Sequence, residues 1–308
     1  MTDKEQYREL CEAEGSKIPL FQQYWWMETV CEGKRWDVLL SKRQGRIEGA
    51  LPYLHGSRLG LRYILQPQLT QFSGPWYNNE SHDLNFEMRV GTDLAQRLKA
   101  LGVSVYIQHF SPEVTNWLPF RWEGFSQTTR YTYRFPSLAN PDDLFRKASR
   151  VRRRHMDEVE ASCSVDRHLS PEEFAPFHAD YYRRRGEKDQ ISNTLLLNVT
   201  QKALQRQQGM LWGLRDREGG LQAGWFVAFD SRCAYSLLLA IGRQAPPNAM
   251  TYLMWQMLHE LSHHTQAFDF EGSIEPGLER FYRSFGTCQT PYFEVSLFKP
   301  KVLQHFFR

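Results

Sequence analysis

Apolar residues recur along this chain in two rhythms. After the loop 242–249 they fall at Met250, Leu253, Met254, Met257, Leu258 and Leu261, the spacing of a helix that buries one stripe. Phe86, Val90, Leu94 and Leu98 predict a second helix, closed by Gly102. Short apolar runs bounded by turn residues predict strands at 36–40 and 47–54, joined by the turn 43–45, and then at 61–65, 103–108 and 128–135. After the linker 136–141, strands are expected near Ser164 and at 211–214, 223–229, 234–241, 267–270 and 292–298. Further helices are expected at 19–30, from Ser111-Pro112, over 142–161, from the capping box Ser170-Pro-Glu-Glu173, and at 275–285.

Laid side by side, the two halves read strand, glycine turn, strand, strand, helix, strand, helix, strand. Residues 107–125 and 268–286 correspond at an offset of 161, which sets Phe120 on Phe281 and Tyr131 on Tyr292. A repeat of this length implies one lobe built twice, since a solenoid would need several short units. The expected division is 1–135, the linker 136–141, and 142–308. In this alignment His109 falls on Phe270, and the acids Asp269 and Glu271 belong to the second copy alone.

Composition narrows the class. A chain of 308 residues with 14% aromatics holds enough apolar surface for two cores. A net charge of +3 is too small to point to nucleic acid by itself. No apolar run reaches the ~18–20 residues of a membrane span, and the polar opening of the chain lacks the apolar region of a secretory signal. Cys11, Cys31, Cys163, Cys233 and Cys288 are scattered and odd in number, which argues against a disulfide framework or a thiolate zinc site. A cytoplasmic globular protein is expected.

The segments Phe268-Asp-Phe-Glu-Gly-Ser273, Gly277-Leu-Glu-Arg-Phe281 and Ser284-Phe-Gly286 resemble the strand–helix signature of the FemABX aminoacyltransferases and their BioF2-like relatives. Ser149-Arg-Val-Arg-Arg-Arg-His155 is similar to the basic helix that opens the second lobe of that family. The resemblance spans about 20–300 and is strongest over 145–295. It implies an α/β (α+β) fold of two tandem GNAT-like lobes (GCN5-related N-acetyltransferase), each a mixed central sheet flanked by helices. It also implies transfer of an acyl or aminoacyl group to an amine, from acyl-CoA or aminoacyl-tRNA, with the donor on the C-terminal lobe and the acceptor in the cleft shared with the first. The acceptor would be a small-molecule or peptide amine. Neither a tightly bound cofactor nor a metal is expected. The family signature carries a lysine where this chain has Tyr282, so a second reading is a doubled GNAT fold that binds without catalysis.

Acyl transfer to an amine needs a base, a donor held in line and stabilisation of a developing oxyanion. Asp269 and Glu271, two apart on an expected strand, should share a face. Ser273 follows at the strand end, a usual place for α/β sites and a candidate substrate contact. Either acid would accept the amine proton, with Arg280 or Tyr282 stabilising charge; the competing reading pairs Asp269 with an arginine and uses Glu271 as a helix cap. Donor phosphates would meet the helix N-terminus after Gly242, through Arg243, Asn248, Ala249 and Thr251, although Pro246 and Pro247 remove two N–H groups from that loop. Arg150, Arg152 and Arg153 would contact a phosphate-bearing substrate or a tRNA backbone, or else form a solvated face. Gln68, Thr70 and Gln71 occupy the acceptor-side loop of the first lobe, where a purely structural loop is an equal contender. His259-Glu-Leu-Ser-His263 matches the zinc-protease HExxH, but both histidines fall opposite the apolar stripe, and a polar helix face accounts for them.

Overall fold

The structure, a computed structural model, describes residues 1–78, 83–272 and 276–306. Helices α1 (Asp3–Glu14) and α2 (Tyr24–Cys31) precede strands β1 (Trp36–Arg43), β2 (Arg46–Arg58), β3 (Leu61–Leu65) and β4 (Trp76–Tyr77). Then come α3 (Leu84–Ala100), β5 (Val105–His109), α4 (Leu118–Trp122) and β6 (Ser126–Phe135). The short helices α5 (Pro141–Lys147), α6 (Arg150–Arg153) and α7 (Met156–Ser162) lead to β7 (Cys163–Asp166), α8 (Pro171–Arg185) and α9 (Asn193–Gln205). Strands β8 (Gly209–Asp216), β9 (Leu221–Phe229) and β10 (Cys233–Ile241) are followed by α10 (Ala249–Leu261), β11 (Ala267–Asp269), α11 (Pro276–Arg283) and β12 (Cys288–Phe298).

The chain forms two compact units. One comprises Met1–Arg130 with the residues from Pro291 on, and the other Tyr131–Thr290. The sequence reading draws the division at 135 and 142 instead, and it assigns the last strand wholly to the second half. In the first unit the strands run β1-β2-β3-β5-β12, with β4 beside β2. Strands β3 and β5 pair in parallel, and the other strand pairs described in this unit are antiparallel. Helix α3 turns Val90, Leu94 and Leu98 onto this sheet, where they meet Leu51, Ile64, Tyr106 and Phe120. In the second unit the order is β7-β8-β9-β10-β11-β6, with β10 and β11 the parallel pair. The stripe of α10 packs there on Trp225, Val227 and Phe268. Each fully buried Leu or Phe of these cores contributes about 1.5–3 kcal/mol of transfer free energy.

Both units thus run antiparallel strands, a parallel pair joined through a helix, and a short helix after the second strand of that pair. Each ends with a strand from the other half of the sequence. In the first unit β5 pairs with β12, Glu294 opposite His109. In the second, β11 pairs with β6, Asp269 opposite Arg134.

Two expected helices are corrected. Ser111-Pro112 begins no helix: the Ser111 hydroxyl donates to the Glu113 carboxylate, the backbone turns through Val114 N–H to Ser111 O, and α4 starts only at Leu118. The basic helix over 142–161 is three pieces. It breaks where Ala148 turns extended and Ser149 N–H bonds to Ser284 O, and again at His155, whose φ is 63°. Ser170 does cap α8 through Glu173 N–H, but the Glu173 carboxylate goes to Arg215 and leaves the capping box half made.

Candidate active site

The parallel pair β10–β11 is short. Only Cys233, Ala234 and Tyr235 face Ala267, Phe268 and Asp269. Strand β11 ends there, while β10 continues to Ile241 against β9 with a register shift between Ser236 and Leu238, the kind of irregularity that bends a strand. Where the two strands part, a cavity of about 380 Å³ opens within the C-terminal unit. Ser236, Leu239 and Ile241 of β10 line one side, Met250, Thr251 and Met254 of α10 another, and Phe281, Tyr282 and Phe285 close it from α11 and just beyond. Trp225 donates its indole N–H to Ser236 Oγ at 3.0 Å, so the ring lies fixed against the strand.

Helix α10 points its N-terminus at this cavity. Asn248, at the cap position with φ 63°, makes no side-chain cap. Its amide instead donates to Val151 O and Arg154 O, at 2.8 and 3.1 Å. The N–H groups of Met250 and Thr251 accordingly have no acceptor among the described residues, and a helix N-terminus in that state favours an anion. Arg152 enters the same cavity half-buried. Its guanidinium stacks over Phe281 and Phe285, at 4.4 and 5.0 Å, while Nε donates to Ser284 Oγ at 2.8 Å. Burial lowers its pKa from the usual arginine value.

At the far end, Asp269 is fully buried. It accepts hydrogen bonds from the Thr132 hydroxyl and from Glu271 N–H at 2.8 Å, and its other oxygen lies 3.5 Å from Arg134 Nε. The chain then turns sharply. Glu271 adopts φ 60°, and a Cβ on Gly272 would stand 1.9 Å from Tyr131 O, so only glycine fits there. The expectation that both acids share a strand face therefore gives way, because the strand stops between them. The Glu271 Oε1 atom is enclosed without a hydrogen-bond partner among the described residues. Burial, and next the Asp269 charge, raises its pKa well above the ordinary carboxylate value. Tyr282 stacks on Tyr133, ring centroids 5.6 Å apart, and burial together with the charges of Glu271 and Asp269 raises its phenol to about 12.

No family model and no curated protein sequence matches this chain. Solved structures do. A structure of FemX matches with a TM-score of 0.73, at 15% identity over 100% of this chain and 99% of that one. L-PGS from Bacillus licheniformis gives 0.60, at 12% identity over 96% and 91%. A tandem GNAT protein from the clavulanic acid biosynthesis pathway gives 0.53, at 10% identity over 96% and 94%. The fold is the doubled GNAT fold.

Of the residues singled out in the sequence, the C-terminal GNAT-like unit brings Asn248, Ala249, Thr251, Arg152 and Tyr282 to one cavity. Asp269 and Glu271 do not line it, although their neighbour Phe270 does. Arg243, Arg150, Arg153 and Arg280 are exposed and do not line it. Ser273 lies outside the described residues. In the N-terminal unit, Thr70 is buried and structural: it accepts the Trp26 indole N–H at 3.1 Å and donates to Gln68 O. Gln68 is exposed, and Gln71 is half-buried with its Nε2 enclosed without an acceptor among the described residues.

His259 pairs with Asp142 at 3.3 Å, and α10 ends at Leu261, so His263 lies past the helix on which zinc ligation would need it. Among the described residues no three His, Cys, Asp or Glu side chains gather as for a metal. Sequence reasoning missed Tyr181, Arg185, Leu239, Met254 and Leu278, all of which line the cavity. Arg185 closes the run Arg183-Arg-Arg185 at the end of α8. Its only local signal was Tyr181 four residues earlier, over whose ring it lies at 5.3 Å.

Proposed function

We propose that this chain is a FemABX-like acyltransferase of the GNAT superfamily, moving an acyl or aminoacyl group from acyl-CoA or aminoacyl-tRNA to an amine. The observation that carries the reading is the cavity at the parting of β10 and β11, with a helix N-terminus open at one end and the Tyr282 phenol in its wall. The residues fit such a donor. Met250 and Thr251 N–H and Arg152 would hold its phosphates, and the apolar wall would hold its arm. The prolines at 246 and 247 leave these N–H groups intact, because they precede the helix.

In the reaction, the amine nitrogen bonds to the carbonyl carbon while the bond to the leaving sulfur or oxygen breaks. Glu271, which does not line the cavity, takes the amine proton through an intervening water. Tyr282, protonated at every physiological pH, gives its proton to the leaving group. Asp269 acts on Glu271 by holding its backbone N–H. The acceptor is a small-molecule or peptide amine, and the exposed Arg150 and Arg153 supply positive charge for a phosphate-bearing partner such as tRNA. A cytoplasmic setting suits these co-substrates.

Thermal shift and thiol release with acetyl-CoA, longer acyl-CoAs and aminoacyl-tRNA test the reading. Stabilisation plus turnover with an amine is expected. Stabilisation without turnover would favour a binding protein, the reading to which Tyr282 in place of the family lysine lends weight, and no response to any donor would rule out both.

A further inference from the structure

The cavity also constrains the group that is moved. Its charged lining among the described residues is Arg152 and Arg185; no carboxylate lines it. Asp269 is buried against Thr132 and Arg134. Glu271 is likewise absent from the lining, where its neighbours Phe270 and Tyr282, ring centroids 5.8 Å apart, form the wall. The rest is aliphatic or aromatic but for the uncharged Ser236, Asn248 and Thr251, of which Asn248 and Thr251 sit at the N-terminus of α10. On α11, Leu278 and Tyr282 lie four apart and present one face, and Leu239 and Met254 complete the apolar surround.

An aminoacyl group carries an ammonium on the carbon beside its reacting carbonyl. In this cavity that cation would lose its water near two guanidinium groups and find no carboxylate among the described lining residues to pair with, which is strongly unfavourable. An uncharged chain meets no such penalty and gains by covering the apolar wall. We propose that the group transferred at this site is an uncharged, apolar acyl chain carried as a coenzyme A thioester, and not an amino acid. The proposal rests on reading the cavity as the donor site.

The test is calorimetric titration of the whole protein with coenzyme A and with acetyl-, hexanoyl- and norleucyl-coenzyme A, the acylated ligands as analogues with CH2 in place of the thioester sulfur. Norleucyl differs from hexanoyl only by the ammonium. Hexanoyl is expected to bind at least tenfold more tightly than acetyl, and norleucyl at least tenfold more weakly than hexanoyl. Leu278→Asp, at a position 48% exposed and therefore tolerant of charge, is expected to narrow the hexanoyl–norleucyl gap at least threefold. Equal binding of all acylated ligands, or norleucyl equal to hexanoyl, overturns the proposal and leaves the donor site standing. If coenzyme A and every acylated ligand fail to bind, the donor site falls and the proposal with it.

Discussion

Asp269 and Glu271 sit two residues apart and do different work, because the strand ends between them. Asp269 is a structural acid: fully buried, bonded to Thr132 and Glu271 N–H, and beside Arg134. Asp269→Asn leaves the Arg134 charge facing a neutral amide, and a loss of about 3–5 kcal/mol in urea unfolding is expected, as for other broken buried pairs. Glu271 behaves in the opposite sense. Its folded pKa is raised, so its full contribution to stability is present below the unfolded carboxylate value and is lost as pH rises toward the folded value. Glu271→Gln removes that loss. The variant is expected to melt with wild type near pH 4 and above it at pH 8, while turnover falls at least a hundredfold and the rise of kcat/KM with pH flattens. A variant that melts below wild type at pH 8 would refute this account of Glu271. The sequence made both acids visible as candidates, but not their separation: the positive φ of Glu271 follows from the fit of Gly272 against Tyr131 O, a contact between distant parts of the chain.

At the scale of elements, α10 was legible because its own stripe dictates it: six apolar residues at helical spacing bury one face whatever lies beneath. The elements at 111 and 142–161 were not. Ser111-Pro112 has the residues of a helix start without a stripe to follow, and the basic stretch bends where Ser149 bonds to Ser284, 135 residues away in sequence. That tether brings Arg152 over Phe281 and Phe285, which turns a member of a charge run into part of a cavity wall. Arg152→Lys keeps the charge and loses the planar stack and the fixed fork. The donor KM is expected to rise about tenfold with kcat within twofold, and Arg152→Ala to raise it further. The same substitutions at Arg150, which is exposed and does not line the cavity, should leave the KM for an acyl-coenzyme A donor unchanged at moderate salt, and steady-state kinetics on the pair separate local fit from general charge.

At the scale of the molecule, the duplication was legible and its closure was not. Strand periodicity tells which face of a strand is buried but not which strand lies beside it. The 161-residue offset also set His109 against Phe270, whereas the paired registers make His109 the counterpart of Asp269. Each ends its strand and meets a partner side chain on the closing strand, His109 with Glu294 at 3.4 Å and Asp269 with Arg134 at 3.5 Å. Aromatic trios repeat the correspondence: Phe110, Phe120 and Phe125 in one unit, Phe270, Phe281 and Phe285 in the other. Ending the chain after Thr290 removes the strand that pairs with β5 and buries Val295 in the first core. Limited proteolysis of that shortened chain is expected to degrade 1–130 well before 131–290, and equal resistance of both would contradict this assignment of β12.

Because β5 waits for a strand made only after the whole second unit, the order of synthesis cannot be the order of folding. A ribosome releases the first 130 residues long before Val295 exists, and this lobe stays open until that residue has emerged. Through that interval one edge of β5 has no partner, the condition in which strands recruit the wrong neighbour. The middle of the chain, which needs nothing beyond Thr290, is free to settle first.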